Sequence, residues 1–261
     1  MSSFNNITTG RYGKIIYNKH DLFVGRSFQL YGEFSEGEVD AFRQFIKPGM
    51  VVLDIGANIG AHTLFFSQAV GPQGTVHAFE PQRLVFQVLA GNMALNSVTN
   101  VFCHLKALGE TNGQIAVPSL DFNVVNNFGG LELEMVAPIT EPVDIIKLDD
   151  FSLTQLHFLK LDVEGMERKV LVGGVKMISR FRPIMYVEND REKKKAELIQ
   201  FIDQLGYDMY WHLPPLYNPN NFTNNPKNVF GNIVSINMLC IPKEMPVNIV
   251  GLEKVEEIAR M

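Results

Sequence analysis

Short apolar runs alternate along this chain with stretches in which apolar residues recur every three or four positions. Val51-Val52-Leu53-Asp54-Ile55, Thr75-Val76-His77-Ala78-Phe79, residues 101–105, Phe158-Leu159-Lys160-Leu161-Asp162 and Ile184-Met185-Tyr186-Val187-Glu188 are short and β-rich. Their length and near-continuous hydrophobicity suit strands covered on both faces. Between them lie helical patterns: one opening near Gly60, one carrying Leu84, Phe86, Leu89 and Met93, and one over 192–205 before Gly206. Strand and helix in alternation predict a parallel, doubly wound sheet, hence one α/β domain of Rossmann-like class over residues 49–261.

The flanks read differently. Residues 1–48 form an N-terminal attachment, in which Ser35 with Glu38 three residues on predicts a capping box for a helix near 36–46, ended by Pro48-Gly49. Residues 109–157 are too long for a simple crossover. The β-like pieces around Gly129-Gly130 predict an inserted hairpin followed by a connecting helix. Residues 207–211 and 232–241 read as two strands joined by a Pro- and Asn-rich loop, a hairpin at the sheet edge.

Composition narrows the class. With 261 residues, 46% apolar, 19 Phe and 11 Met, the chain has ample core, which excludes wholesale disorder. The 23 Lys+Arg against 28 Asp+Glu give a net charge of −5, with no basic face for phosphates, so broad nucleic-acid binding is not expected. Cys103 and Cys240 lack CxxC spacing and make no disulfide framework, which fits a reducing compartment. The N-terminus shows neither the basic nor the apolar region of an export signal, and no run approaches the length of about 18 apolar residues that spans a membrane. A cytoplasmic protein without a membrane span is expected.

The strongest local signal is Asp54-Ile55-Gly56-Ala57-Asn58-Ile59-Gly60, an acid at a strand end followed by a glycine turn into a helix. Its Gly-x-x-x-Gly spacing fits a pyrophosphate cradle poorly, and no Gly-Lys-Ser/Thr follows. A nicotinamide oxidoreductase is thereby disfavoured. Glu80 ends the next strand 20 residues after Gly60, where a carboxylate can accept both hydroxyls of a ribose. Ligands of open α/β sheets bind beyond the carboxyl ends of the strands, so Asp54, Glu80, Asp162 and Glu188 should converge on one rim. Such a rim suits a cationic ligand. Glu164 stands beside it, with the alternative role of placing charge at a helix N-terminus opening at Gly165.

These segments, with Phe79-Glu80-Pro81, Lys147-Leu148-Asp149-Asp150-Phe151 and Leu159-Lys160-Leu161-Asp162-Val163-Glu164-Gly165-Met166-Glu167, fall in an order that resembles the FkbM-type class I S-adenosylmethionine-dependent methyltransferases over about residues 35–190. The resemblance implies a seven-stranded sheet with an antiparallel last strand and S-adenosylmethionine as cofactor. By it, Asp54, Gly56, Asn58 and Gly60 surround the methionine portion, Glu80 holds the ribose, and Pro81, Ala107 and Leu108 line the adenine. Asp162 joins them at the rim. It points to O-methylation of a sugar, glycan or secondary metabolite by in-line displacement, with proximity as the main source of rate. Asp162, Glu164 or Glu188 would take the hydroxyl proton, with His62 as a further candidate base. The acceptor would meet the loop 212–231, its Asn amides beside Trp211, Tyr217 and Phe222. An N- or C-acceptor, or a non-catalytic module of the same fold, are the other readings. Asp162 and Glu188-Asn189 also resemble the Mg²⁺ positions of catechol-type O-methyltransferases, except that Glu replaces the usual Asp before Asn. No Cys/His cluster suggests zinc.

Overall fold

The computed structural model describes residues 3–133 and 137–256. Asn5–Gly10 (β1) and Gly13–Asn18 (β2) pair antiparallel, and alternate residues Ile15 and Tyr17 of β2 are buried. The Asp21 carboxylate accepts the Phe23 N–H at 2.9 Å and opens Val24–Tyr31 (α1), which Gly32 closes in the left-handed conformation. Glu36–Phe45 (α2) lies where a helix was expected, but without the capping box. Ser35 has φ 47°, and its Oγ donates to Glu38 Oε1 at 2.9 Å instead of capping the helix backbone. The attachment is thus a hairpin and two helices, of which only α2 was legible.

Val51–Ile55 (β3), Ala61–Val70 (α3), Thr75–Phe79 (β4), Arg83–Leu95 (α4) and Val101–His104 (β5) follow the expected order. Ala107–Leu108 (β6), Gly113–Pro118 (β7) and Thr140–Ile146 (β8) make a separate sheet in the order β6-β8-β7, with β7 and β8 as the inserted hairpin. The connecting helix expected after it is only a 3-10 turn at Leu148–Asp150 among the described residues. Phe158–Leu161 (β9), Glu167–Val172 (α5), Val175–Phe181 (α6), Ile184–Glu188 (β10), Glu192–Gln204 (α7), Tyr207–His212 (β11), Asn237–Pro242 (β12) and Glu253–Lys254 (β13) complete the fold. The short turn has a reason: Asp149 accepts the Lys176 and Met177 N–H groups and serves the start of α6.

The main sheet runs β13-β11-β12-β10-β9-β3-β4-β5. Its strands from β10 to β5 are parallel, and β12 is antiparallel to both β10 and β11, so the α/β class and the antiparallel last strand are both borne out. A two-residue strand, β13, extends the expected seven to eight. Alternate strand residues face opposite helical layers, as the pleat requires. Val52, Phe158 and Tyr186 pack against Phe42 of α2 and Phe66 of α3, while Leu53, Leu159 and Met185 pack against Leu171, Ile178 and Ile202 of α5 to α7. Parallel strands bring their carboxyl ends to one edge, where ligand clefts of such sheets lie.

Candidate active site

A cavity of about 480 Å³ opens at that edge. Its first wall is the turn after β3. Gly56 has φ +80°, and a Cβ there would stand 1.7 Å from the Asp162 carbonyl oxygen, so only glycine lets the β3 and β9 ends approach. Asn58 donates its N–H to Glu80 Oε2 at 3.0 Å, and Gln82 N–H donates to Glu80 Oε1 at 2.9 Å. Both oxygens are held by backbone and each keeps a lone pair for a ligand hydroxyl. Burial pushes the Glu80 carboxyl up to about 7, against the pull of those two N–H groups. Pro81, Ala107 and Leu108 continue the wall.

Behind the turn sits a buried cation. Lys160 of β9 is 3% exposed, and its Nζ lies 3.1 Å from Asp162 Oδ2, 3.6 Å from Asp54 Oδ1 and 3.4 Å from the Gly56 carbonyl. Burial alone would lower the ammonium's pKa, but Asp162, Asp54 and Glu38 together hold it above the ordinary lysine value. Asp54, wholly buried, also accepts Thr63 Oγ1–H at 2.6 Å. It fixes Lys160 from behind and does not line the cavity, and neither does Gly60, whose missing Cβ makes room for Leu89 of α4. The expected rim therefore gathers Glu80, Asp162 and Glu188 on the cavity, with Asp54 one layer deeper.

At the far end, Glu164, with φ 55°, ion-pairs with Arg191, which also reaches Glu132 of the insertion and Asp190. The acid in the first turn of α5 is Glu167, whose Oε1 accepts the Gly165 and Val163 N–H groups just before the helix, and α5 starts there instead of at Gly165. Burial, then the charges of Asp162 and Glu164, raises the Glu188 carboxyl well above its ordinary value, and Glu188 Oε2 is buried without a partner. Carboxylate oxygens of Asp162, Glu164 and Glu188 lie within 4.8 Å of one another, close enough for a hard cation. Two of the three already face a fixed cation, Lys160 or Arg191.

The remaining wall includes Phe23, Phe34 and Glu38 of the attachment, His62 of α3, Leu131 and Leu133 of the insertion, Leu216, and residues 234–237. The loop 212–231 reaches the cavity through Leu216. Trp211, Tyr217 and Phe222 are not on the cavity. Asn218 donates to Glu33, and Asn221 donates to the carbonyls of Asn218 and Asn225 while accepting the Asn225 N–H, so these amides are spent on Glu33 and on local turns.

Residues 54–209 match the family model of the methyltransferase FkbM domain, more than half of the chain. The chain belongs to the FkbM methyltransferase family. Methyltransferase 1 of Beauveria bassiana is 32% identical, covering 47% of this chain and 57% of that protein. The 31-O-demethyl-FK506 methyltransferase FkbM of Streptomyces tacrolimicus is 25% identical over 66% of this chain and 78% of its own. The 2-O-methyltransferase NoeI of Sinorhizobium fredii is 26% identical over 70% and 84%. The crystal structure of methyltransferase FkbM from Methylobacillus flagellatus superposes with a TM-score of 0.51 at 17% identity, covering 77% of this chain and 50% of that one, which shows a shared fold. The chain thus spans little more than half of the first of these relatives and half of that solved chain.

In this FkbM-family chain, sequence reasoning missed Lys160, Glu38, Asp190 and Arg191. Lys160 had a signal, a lone charge inside a strand otherwise apolar and covered on both faces. Glu38 was assigned to a cap because Ser35 stood three residues before it. Among the described residues no helix is long and apolar enough to cross a membrane.

Proposed function

We propose that the chain transfers a methyl group from S-adenosylmethionine to a hydroxyl of a neutral sugar or related small molecule. The observation that carries this is Glu80, held by two backbone N–H groups at the end of β4, in one cavity with the Gly56 turn, the Ala107-Leu108 wall and the acids of β9 and β10. Glu80 would hold the ribose, the Gly56-Asn58 turn the methionine portion, and Pro81, Ala107 and Leu108 the adenine. Asp54 and Gly60 support this half from beneath. When bound, the methyl donor supplies a methyl on a sulfonium, a cation suited to the acids Asp162, Glu164 and Glu188. This chain's residues have to orient the acceptor against it and keep water out, and most of the acceleration comes from that placement.

The class of acceptor follows from charge and shape. The cavity carries Glu38, Glu80, Asp162, Glu164, Glu188 and Asp190 against Lys106, Lys160 and Arg191, which disfavours phosphorylated or carboxylated acceptors. Phe23, Phe34, Leu216, Val234 and Ile236 give it an apolar wall for the face of a sugar ring or a macrocycle. The names of two relatives, a 2-O-methyltransferase and a 31-O-demethyl-FK506 methyltransferase, support oxygen as the attacking atom. The test is calorimetry with S-adenosylhomocysteine on wild type and Glu80→Ala, followed by mass spectrometry after incubating the protein with S-adenosylmethionine and a panel of neutral glycosides and alcohols. Binding that is lost in Glu80→Ala, and one methyl gained by a panel member, are expected. No heat with wild type would end the reading.

A further inference from the structure

His62 opens α3 at the cavity wall, 6% exposed, packed among the rings of Phe34, Phe42 and Phe66 at 6.0, 5.3 and 6.4 Å between centroids. Its Nε2 is buried with no partner. The surrounding rings hold the imidazole in place, with Nε2 unpartnered. Glu38 Oε2 lies 3.9 Å from Nε2, too far for a hydrogen bond and close enough for a counter-charge. Glu38 is itself held: Ser35 Oγ–H donates to Oε1 at 2.9 Å and Asn237 Nδ2–H at 3.4 Å, while burial raises its carboxyl against the pull of Lys160.

We propose that His62 Nε2 accepts the proton of the acceptor hydroxyl, with Glu38 as the positioning residue that receives the resulting imidazolium. This rests on the O-methyl-transfer reading and assigns the proton that the reading leaves unplaced. The carboxylates nearest the rim are otherwise engaged: Asp162 pairs with Lys160, Glu164 pairs with Arg191, and burial, then the charges of Asp162 and Glu164, raise the Glu188 carboxyl well above its ordinary value. In the transfer, the acceptor oxygen bonds the methyl carbon, the carbon–sulfur bond breaks with its pair going to sulfur, and the hydroxyl proton passes to Nε2. The positive charge lost by the sulfonium reappears on the imidazole, so the acid-lined cavity holds the same total charge before and after.

The groups facing His62 fix the balance. Glu38 on α2 and Asp162 just after β9 favour the imidazolium, and Lys160 on β9 opposes it. Burial and then the Lys160 charge lower the His62 pKa to about 3, against the opposing pull of Asp162.

The test uses full-length protein labelled with ¹⁵N-histidine, S-adenosylmethionine and S-adenosylhomocysteine. His62 is identified among the six histidines by the signal lost in His62→Gln. The expected result is a neutral ring with unprotonated Nε2 in the S-adenosylmethionine complex, and a pKa at least one unit higher in the S-adenosylhomocysteine complex, a gap that Glu38→Gln narrows. With a neutral hydroxyl compound from the panel that gains a methyl, His62→Gln should lower kcat by about 10²–10⁴-fold while S-adenosylhomocysteine affinity stays within about threefold of wild type, under half a decade. An Nε2-protonated neutral ring, identical titration in the two complexes, or an unchanged kcat overturns the proposal. If S-adenosylhomocysteine gives no heat, the methyl-transfer reading fails and the proposal with it; if it binds and these signatures are absent, the proposal alone fails.

Discussion

Lys160 is a charge buried to 3% exposure, and its cost is offset only because Asp54 and Asp162 flank it. Removing one partner of such a set leaves an uncompensated buried charge. Lys160→Met is accordingly expected to destabilise the fold by about 3–5 kcal/mol, measured from denaturant midpoints, with Asp54→Asn added to it restoring part of the loss. Glu80 makes a different statement. Its carboxyl titrates near 7 when folded and in the ordinary carboxylate range when unfolded, so between those values the native state binds the extra proton. Its contribution to stability is full at acid pH and is lost as pH rises through about 7, and Glu80→Gln should flatten that part of the stability profile. Ribose hydroxyls need the ionised form as acceptor. S-adenosylhomocysteine affinity in calorimetry should therefore fall about tenfold per pH unit below 7, and Glu80→Gln should bind weakly with no such slope.

Elements place these residues, and one buried carboxylate ties three elements together on the acceptor side. Glu33, between α1 and α2, accepts Arg11 Nε–H at 2.7 Å, Asn218 Nδ2–H at 2.8 Å and the Phe222 N–H at 2.8 Å. Glu33→Ala strands those donors and should cost roughly 1–3 kcal/mol, with faster proteolysis within residues 217–225 and unchanged S-adenosylhomocysteine affinity. The strands β3, β4, β9 and β10 were legible because burial on both faces leaves almost no polar residue to blur the run. Turns were legible where glycine is sterically compelled, as at Gly56. The hairpin β1–β2 was not, since its exposed face carries Asn, Thr and Lys and its buried face only Ile15 and Tyr17 at depth. Ser35 and Glu38 misled because a capping box and a hydroxyl-to-carboxylate bond use the same residues at the same spacing; the backbone angle of Ser35 decides between them, and no sequence pattern records it.

Across the whole molecule the cavity has two halves of different origin. Gly56, Asn58, Glu80, Ala107, Leu108 and Asp162 all lie within the matched span 54–209, whereas Phe23, Phe34 and Glu38 come before it and Leu216 and residues 234–237 after it. The first half was readable because it is built from strand ends whose order the alternation of elements fixes. The second required knowing that the attachment folds over α3, a consequence of long-range packing such as Phe42 against Phe66 and Tyr186. If the halves act independently, the acceptor can be altered without touching the donor. Leu216→Ala, which cuts back an 8%-exposed side chain on the acceptor wall, should change which neutral glycosides and alcohols of the panel are methylated, favouring bulkier ones, while S-adenosylhomocysteine affinity stays within about threefold. Glu80→Ala should instead abolish methylation of every member alike. Equal losses of donor affinity and acceptor turnover in Leu216→Ala would show that the two walls move as one.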